Sequence, residues 1–206
     1  MAITPDRQYR SFKFEMRGQG DEMIVVGRPI VFNQEAVIFE YDGIQYKEII
    51  VEGALDGAKM DDVVLNVDHS GKPAAKTRNG TLKLEVRADG LHMEADLSKN
   101  ATGRELYEDI KANFYDRMSY AFTVREDSYD KQTRTRTIRK IARVYDVSAV
   151  TFAAYEQTNI SARSWAEAQR EIEAAEAAQA AEAARATEAA QLEAERLRHQ
   201  ILVKAG

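Results

Sequence analysis

MSYAFTVREDSYDKQTRTRTIRKIARVYDVSAVTF, residues 118–152, is the stretch that decides the fold. Met118, Tyr120, Phe122 and Val124 alternate with Ser119, Ala121 and Thr123, which predicts a strand with one apolar face and one face of small residues. Over residues 126–150 the pattern reads as a long hairpin: a polar tip at 127–133, a Thr-Arg alternation over 133–139, and an apolar strand from Val144 to Phe152. Its cations, Arg134, Arg136, Arg139, Lys140 and Arg143, read as a solvated strand face rather than a nucleic-acid stripe, because the chain as a whole carries a net charge of −5.

Working back toward the N-terminus, residues 10–32 predict a hairpin broken by a turn cluster at 18–21, residues 44–50 a strand, and residues 52–59 a turn of helix. In residues 63–67 the odd positions Val63, Leu65 and Val67 share one face, and His69 continues that parity. Residues 80–86 and 90–97 alternate on either side of Ala88-Asp89-Gly90, a second hairpin. Leu106, Tyr107, Ile110 and Phe114 fall at helical spacing, with Glu105 three residues after Thr102 as in a capping box. Ser119 is thereby expected at a helix-to-strand corner.

Many short strands around one solid helix predict an α+β fold, a small β-barrel flanked by helices. Downstream the composition changes. From Ser161 the chain turns to Ala, Glu, Gln and Arg, with Ser164 and Glu167 in capping positions, and predicts a long C-terminal Ala/Glu-rich helix. Its large apolar residues are too few for a sustained heptad seam, so the helix is expected to be solvated. The domain division is therefore 1–163 for the core and 164–206 for a helical tail.

With 206 residues the chain has room for one domain of ordinary size and an appendage. It contains no cysteine, which removes thiolate nucleophiles, disulfides and cysteine-based zinc sites. Three scattered histidines have no metal-ligand spacing, so neither metal nor cofactor is expected. Neither a signal-peptide core nor an apolar run of membrane-spanning length is present, and a soluble, intracellular protein is expected.

Against that background three residues stand out: His69 closing VVLNVDHS, Ser119 opening the quoted stretch, and Asp146 in VYDVSAVTF. A hydroxyl nucleophile, a base and an orienting carboxylate are what serine-based acyl transfer needs. Asp68 is badly placed to orient its neighbour, since adjacent strand residues face opposite ways. Asp146 is a carboxylate in an otherwise apolar strand, costly to bury unless paired; His69 or one of the nearby arginines would supply that pair. Glu156 is the second candidate for the acid. His92 competes as the base but shares the polar face of its strand with Glu94 and Asp96, and His199 lies in the tail. A Gly-x-Ser-x-Gly elbow is absent.

The succession GRPIVF, DHS, G-x-L-x-L, D-G-L-x-M-x-A-x-L, RMSYAF and YDVSAVTFAAYEQT resembles the prohead (procapsid maturation) serine proteases of tailed bacteriophages. The resemblance runs from about Ile24 to Arg163 and leaves the tail uncovered. It implies a serine endopeptidase distantly similar to the herpesvirus assemblins, with an assemblin-like β-barrel. Catalytic roles fall on His69, Ser119 and Asp146, where the family often has Glu in place of Asp146 and Phe-Gly in place of Tyr120-Ala121. Also implied are partners and substrates in the major capsid protein and the scaffold protein or segment, often the protease itself, with self-association into a dimer as in the assemblins. The place of action would be the host cytoplasm, inside the assembling procapsid. The competing expectations are a non-catalytic scaffold or assembly protein on a protease-like fold and, less favoured by charge, a nucleic-acid-associated protein.

Overall fold

A computed structural model describes residues 7–17, 22–151 and 157–205, of which 157–164 and 193–205 are described for their backbone alone. In chain order the elements are β1 (Gln8–Phe12), β2 (Phe14–Arg17), β3 (Ile24–Val31), β4 (Ala36–Tyr41), β5 (Ile44–Ile50), β6 (Val64–Val67), β7 (Ser70–Lys76), β8 (Leu82–Arg87), β9 (Gly90–Asp96), α1 (Ala101–Lys111), β10 (Arg117–Asp130), β11 (Thr135–Val150) and α2 (Gln157–Ala205).

The quoted stretch becomes the long antiparallel pair β10–β11, on which a seven-stranded sheet is assembled in the order β1-β10-β11-β5-β4. β11 has 16 residues, long enough to serve two partners in succession. Its first part, residues 135–138, lies parallel to residues 47–50 of β5, and its last part, residues 146–149, lies parallel to residues 64–67 of β6. β7 then folds back on β6. A second sheet has the order β2-β3-β9-β8. Apolar faces of both sheets merge in one core, with Val25, Ile30, Leu91 and Met93 from the smaller sheet and Met118, Tyr120, Phe122 and Val147 from the larger.

The architecture is mixed α+β, but among the described residues the sheets stay open and no closed barrel forms. The larger sheet forks at β11, one end pairing with β5 and the other with β6, and among the described residues its edge strands β1 and β4 do not pair to close a ring. Lys13 also separates β1 from β2 and places the two in different sheets, so the first predicted hairpin survives only as β2–β3. β4 and β7 have no counterpart in the sequence reading; β7 is SGKPAAK, which lacks alternation and β-branched residues altogether. Residues 52–59 form successive turns closed by Ala54 N–H to Val51 O and Ala58 N–H to Leu55 O, not a helix.

Helix α1 forms where its apolar spacing predicts, with Leu106 and Ile110 buried. Its cap differs: Asn100 Oδ1 accepts from Gly103 N–H at 2.6 Å, and Asn100 rather than Thr102 holds the N-cap position. Phe114 lies beyond the helix end and is 72% exposed. Gly103 lets the first turn of α1 press against backbone, since a Cβ there would stand 2.4 Å from Leu97 O and 3.1 Å from Ala74 O. Gly103→Ala is therefore expected to lower stability by about 1–3 kcal/mol despite the better helix propensity of alanine, read as a lower urea midpoint.

The chain divides into two compact units, Met1–Ser164 and Trp165–Gly206. The second is helical, and its residues Ile172 and Leu192 are exposed. No helix among the described residues is long and apolar enough to cross a membrane.

Candidate active site

Two residues with positive φ, Asp68 at 45° and His69 at 57°, form the turn between β6 and β7, and Val67 pairs directly with Ser70 across it. Left-handed conformations at both central positions define the two-residue turn whose twist suits a hairpin, and Asp and His tolerate that region better than most residues. The strand therefore ends at Val67 and does not carry His69 onward in the parity of Leu65 and Val67. The reversal instead brings the imidazole to the other face, the one that carries Asn66. There His69 Nδ1 lies 2.5 Å from Asp146 Oδ1.

Asp68 holds this turn against the end of β11. Its backbone N–H donates to Ala149 O at 2.9 Å, Oδ1 accepts from Thr151 N–H at 3.0 Å, and Oδ2 accepts from the Thr151 hydroxyl at 2.9 Å. Tyr9 of β1 packs edge-on against the His69 ring, with centroids 4.6 Å apart. Both constraints fix where the imidazole sits.

Ser119 and Asp146 reach the same sheet face through register. Ser119 pairs with Ser148, and Ala121 pairs with Asp146, so Ser119 and Asp146 are diagonal neighbours, roughly 7–8 Å apart in such a ladder. On its other side Ser119 pairs with Ser11 of β1. A strand face of Ser119, Ala121, Asp146 and Ser148 is thus small and polar in the middle of a buried sheet.

His69 and Asp146 are joined and almost buried, their side chains 11% and 8% exposed. With Nδ1–H given to the carboxylate, the lone pair of the neutral ring is on Nε2, the nitrogen free to take a proton. Ser119 has 0% exposure, and its Oγ has no hydrogen-bond partner. The structure therefore unites two of the three predicted residues and sets the third on the same face, shielded and unbonded to the imidazole.

His92 lies on β9 in the other sheet. Its Nε2 bonds Asp89 Oδ1 at 2.8 Å, and that bond, with a second from Arg28, pulls the Asp89 carboxyl down to about 2. Glu156 lies outside the described residues, as does the side chain of His199. Among the described residues no group of three or more His, Cys, Asp or Glu is arranged to hold a metal ion.

Sequence reasoning missed Tyr9, Asn66 and Ser148. Ser148 had a local signal, a hydroxyl two residues after Asp146 on the same strand face; Asn66 had one too, as the single polar residue of the apolar run before the turn. Tyr9 had none, because its contact depends on how β1 pairs.

A family model described as caudovirus prohead serine protease matches residues 11–172. No curated protein sequence matches the chain. Among solved structures, that of the bacteriophage T4 capsid assembly protease, gp21, aligns with a TM-score of 0.41 at 11% identity, covering 72% of this chain and 98% of that one.

Proposed function

The chain belongs to the caudovirus prohead serine protease family, and from that premise we propose that it is a serine endopeptidase in which Ser119 is the nucleophile, His69 the general base and Asp146 the orienting acid. The observation that carries this reading is the His69–Asp146 hydrogen bond, formed between residues 77 apart in the chain and set on the strand face of Ser119. Ser119 Oγ attacks the peptide carbonyl carbon as its proton passes to His69 Nε2. The tetrahedral intermediate collapses when that proton moves to the departing amine, leaving an ester on Ser119. Water, deprotonated in turn by His69, releases the acid and restores the hydroxyl. Asp146 keeps Nδ1 protonated throughout and stabilises the imidazolium.

Because Ser119 is shielded, substrate entry and the Ser119–His69 hydrogen bond both require a local rearrangement; catalytic hydrogen bonds often close only in the substrate complex. That same shielding favours the second reading, a non-catalytic assembly protein on a protease-like fold. Substrates by the first reading are the scaffold protein or scaffolding segment of the capsid protein, and the protease itself, inside the assembling procapsid. Residues 164–206 act as a solvated arm that delivers the enzyme there.

Co-expression with the cognate scaffold and capsid proteins tests both parts, with intact mass as the readout. Cleaved scaffold, and a serine-directed phosphonate adduct on Ser119, are expected. An uncleaved scaffold with no adduct would leave the assembly-protein reading standing. A chain truncated after residue 163 is expected to cleave peptides but to be excluded from procapsids.

Asp68 supplies a further expectation. Asp68→Ala removes both bonds to Thr151, so kcat should fall roughly tenfold at unchanged KM, two ordinary hydrogen bonds being worth about 1–3 kcal/mol together. Asp68→Asn, which keeps an acceptor and tolerates positive φ, should lie close to the parent. Equal kcat for the alanine variant and the parent would show that the clamp is unnecessary.

A further inference from the structure

Support of the Asp146 carboxylate comes down to a count of protons. Ser148 Oγ lies 2.9 Å from Asp146 Oδ1 and 2.5 Å from Asn66 Oδ1. A hydroxyl has one proton, whereas both neighbours, so placed, are acceptors. One of the two contacts would then be oxygen against oxygen with nothing between them, at a residue with no solvent exposure. The ionised carboxylate is the stronger acceptor and takes the proton. Asn66 must then face Ser148 with a donor. Its Oδ1 and Nδ2 are close in size and exchange places by a half-turn of the amide, and the hydrogen-bond network decides between them.

We propose that Asn66 and Ser148 are positioning residues for the reaction, joined in a one-way chain: Asn66 Nδ2–H donates to Ser148 Oγ, Ser148 Oγ–H donates to Asp146 Oδ1, and the same Oδ1 accepts from His69 Nδ1–H. This rests on the reading that Asp146 orients His69. The parallel register that sets Asn66 beside Ser148 also ties β6, the strand leading into the His69 turn, to β11, which carries the acid. Two donors converging on a single oxygen stop the carboxylate from turning about its Cβ–Cγ bond. Without Ser148 only His69 would hold it, and base and acid could drift together.

Full-length Ser148→Ala and Asn66→Asp proteins, each checked for its urea midpoint, test the chain. Ser148→Ala is expected to lower kcat on a reporter peptide by about 10- to 100-fold at unchanged KM, the loss of one hydrogen bond to a charged group. Asn66→Asp should match it, because the new carboxylate takes the Ser148 proton away from Asp146. Proton NMR gives a reading that needs no turnover. The low-field His69 Nδ1–H resonance should be displaced in both variants, and in the unaltered chain one Asn66 Nδ2 proton should exchange slowly, losing that protection in Ser148→Ala.

A fast-exchanging Asn66 amide in the unaltered chain, or an Asn66→Asp protein with parental kcat and an unmoved Nδ1–H resonance, would overturn the proposal. Labelling of Ser119 by a phosphonate is independent of that outcome. The relay can thus fail while the catalytic assignment holds, and the NMR result stands even if Ser119 proves inert.

Discussion

Ser119→Ala keeps the fold, becomes more stable by about 1 kcal/mol, and loses peptide hydrolysis by as much as a million-fold, the scale seen when a serine nucleophile is removed. The two effects have one origin. Ser119 Oγ is buried without a hydrogen-bond partner, so its dehydration is uncompensated in the folded chain. Replacing the hydroxymethyl with a methyl relieves that cost and leaves a side chain already tolerated on this face, as at Ala121. A catalytic group kept at the expense of stability is the pattern expected of an active site.

Urea denaturation and phosphonate labelling of the same preparation separate the readings. If Ser119 is the nucleophile, the parent is labelled and hydrolyses peptide, and the variant loses both while its midpoint rises. If the serine is kept only for packing, neither protein is labelled or active, and the midpoint alone changes. Should hydrolysis survive in Ser119→Ala, another group is the nucleophile and the assignment falls.

What the sequence made legible was local. Alternation in residues 118–125 placed Ser119 and Ala121 on one face of a strand, and the cost of burying Asp146 among valines called for a partner. The same cost left the choice open between His69 and a nearby arginine, and the parity expected to carry the His69 ring along the strand does not hold, since two left-handed residues end the strand at Val67 and swing the ring to the opposite face. Period-2 reasoning carries no information past the point where φ changes sign. The barrel expectation failed for a related reason: strand patterns do not say that β11 will serve β5 with one end and β6 with the other. β7 shows the limit from the other side, because SGKPAAK becomes a strand through pairing with β6 and not through its own propensity.

The arginine run of the long hairpin was read as a solvated face, and here burial changes the physics. Arg136 is 4% exposed; its Nε donates to Asp127 Oδ2 at 2.5 Å, and its Nη1 bonds Gln8 Oε1 at 2.7 Å and Glu48 Oε2 at 3.3 Å. Lys140 donates to Gly53 O, and the guanidinium of Arg143 lies 5.0 Å from the Tyr145 ring centre. The run is thus divided: Arg136 is buried in an ion cluster, Lys140 and Arg143 are half-buried, and Arg139 keeps the exposed position expected of a solvated face.

Glu48→Ala is accordingly expected to cost about 3–5 kcal/mol, the range for removing one partner from a buried ion pair. Glu48, itself 4% exposed, receives Arg10 in a two-pronged bond, Nε to Oε1 at 2.8 Å and Nη2 to Oε2 at 2.6 Å, and Arg136 on the same Oε2. Burial works against the Arg10 charge, but Glu48 more than offsets it and raises the pKa of the guanidinium above its ordinary value. Removing the carboxylate leaves two guanidinium groups facing one another with less to balance them. Gln8 and the Tyr9 carbonyl remain as acceptors for Arg10, and Asp127 for Arg136, which favours the lower end of the range. Against a total stability of about 5–15 kcal/mol for a domain, such a loss is large. It should appear as a lower urea midpoint at unchanged slope. Arg10 sits between Tyr9, which packs on His69, and Ser11, which pairs with Ser119, so loosening its anchor loosens the strand that covers the site. The variant should therefore also show weaker constraint on His69, seen as faster exchange of its Nδ1–H under conditions where the protein remains folded. A midpoint within about 0.5 kcal/mol of the parent, as expected of an ordinary surface substitution, would place this ion cluster among the energetically idle ones.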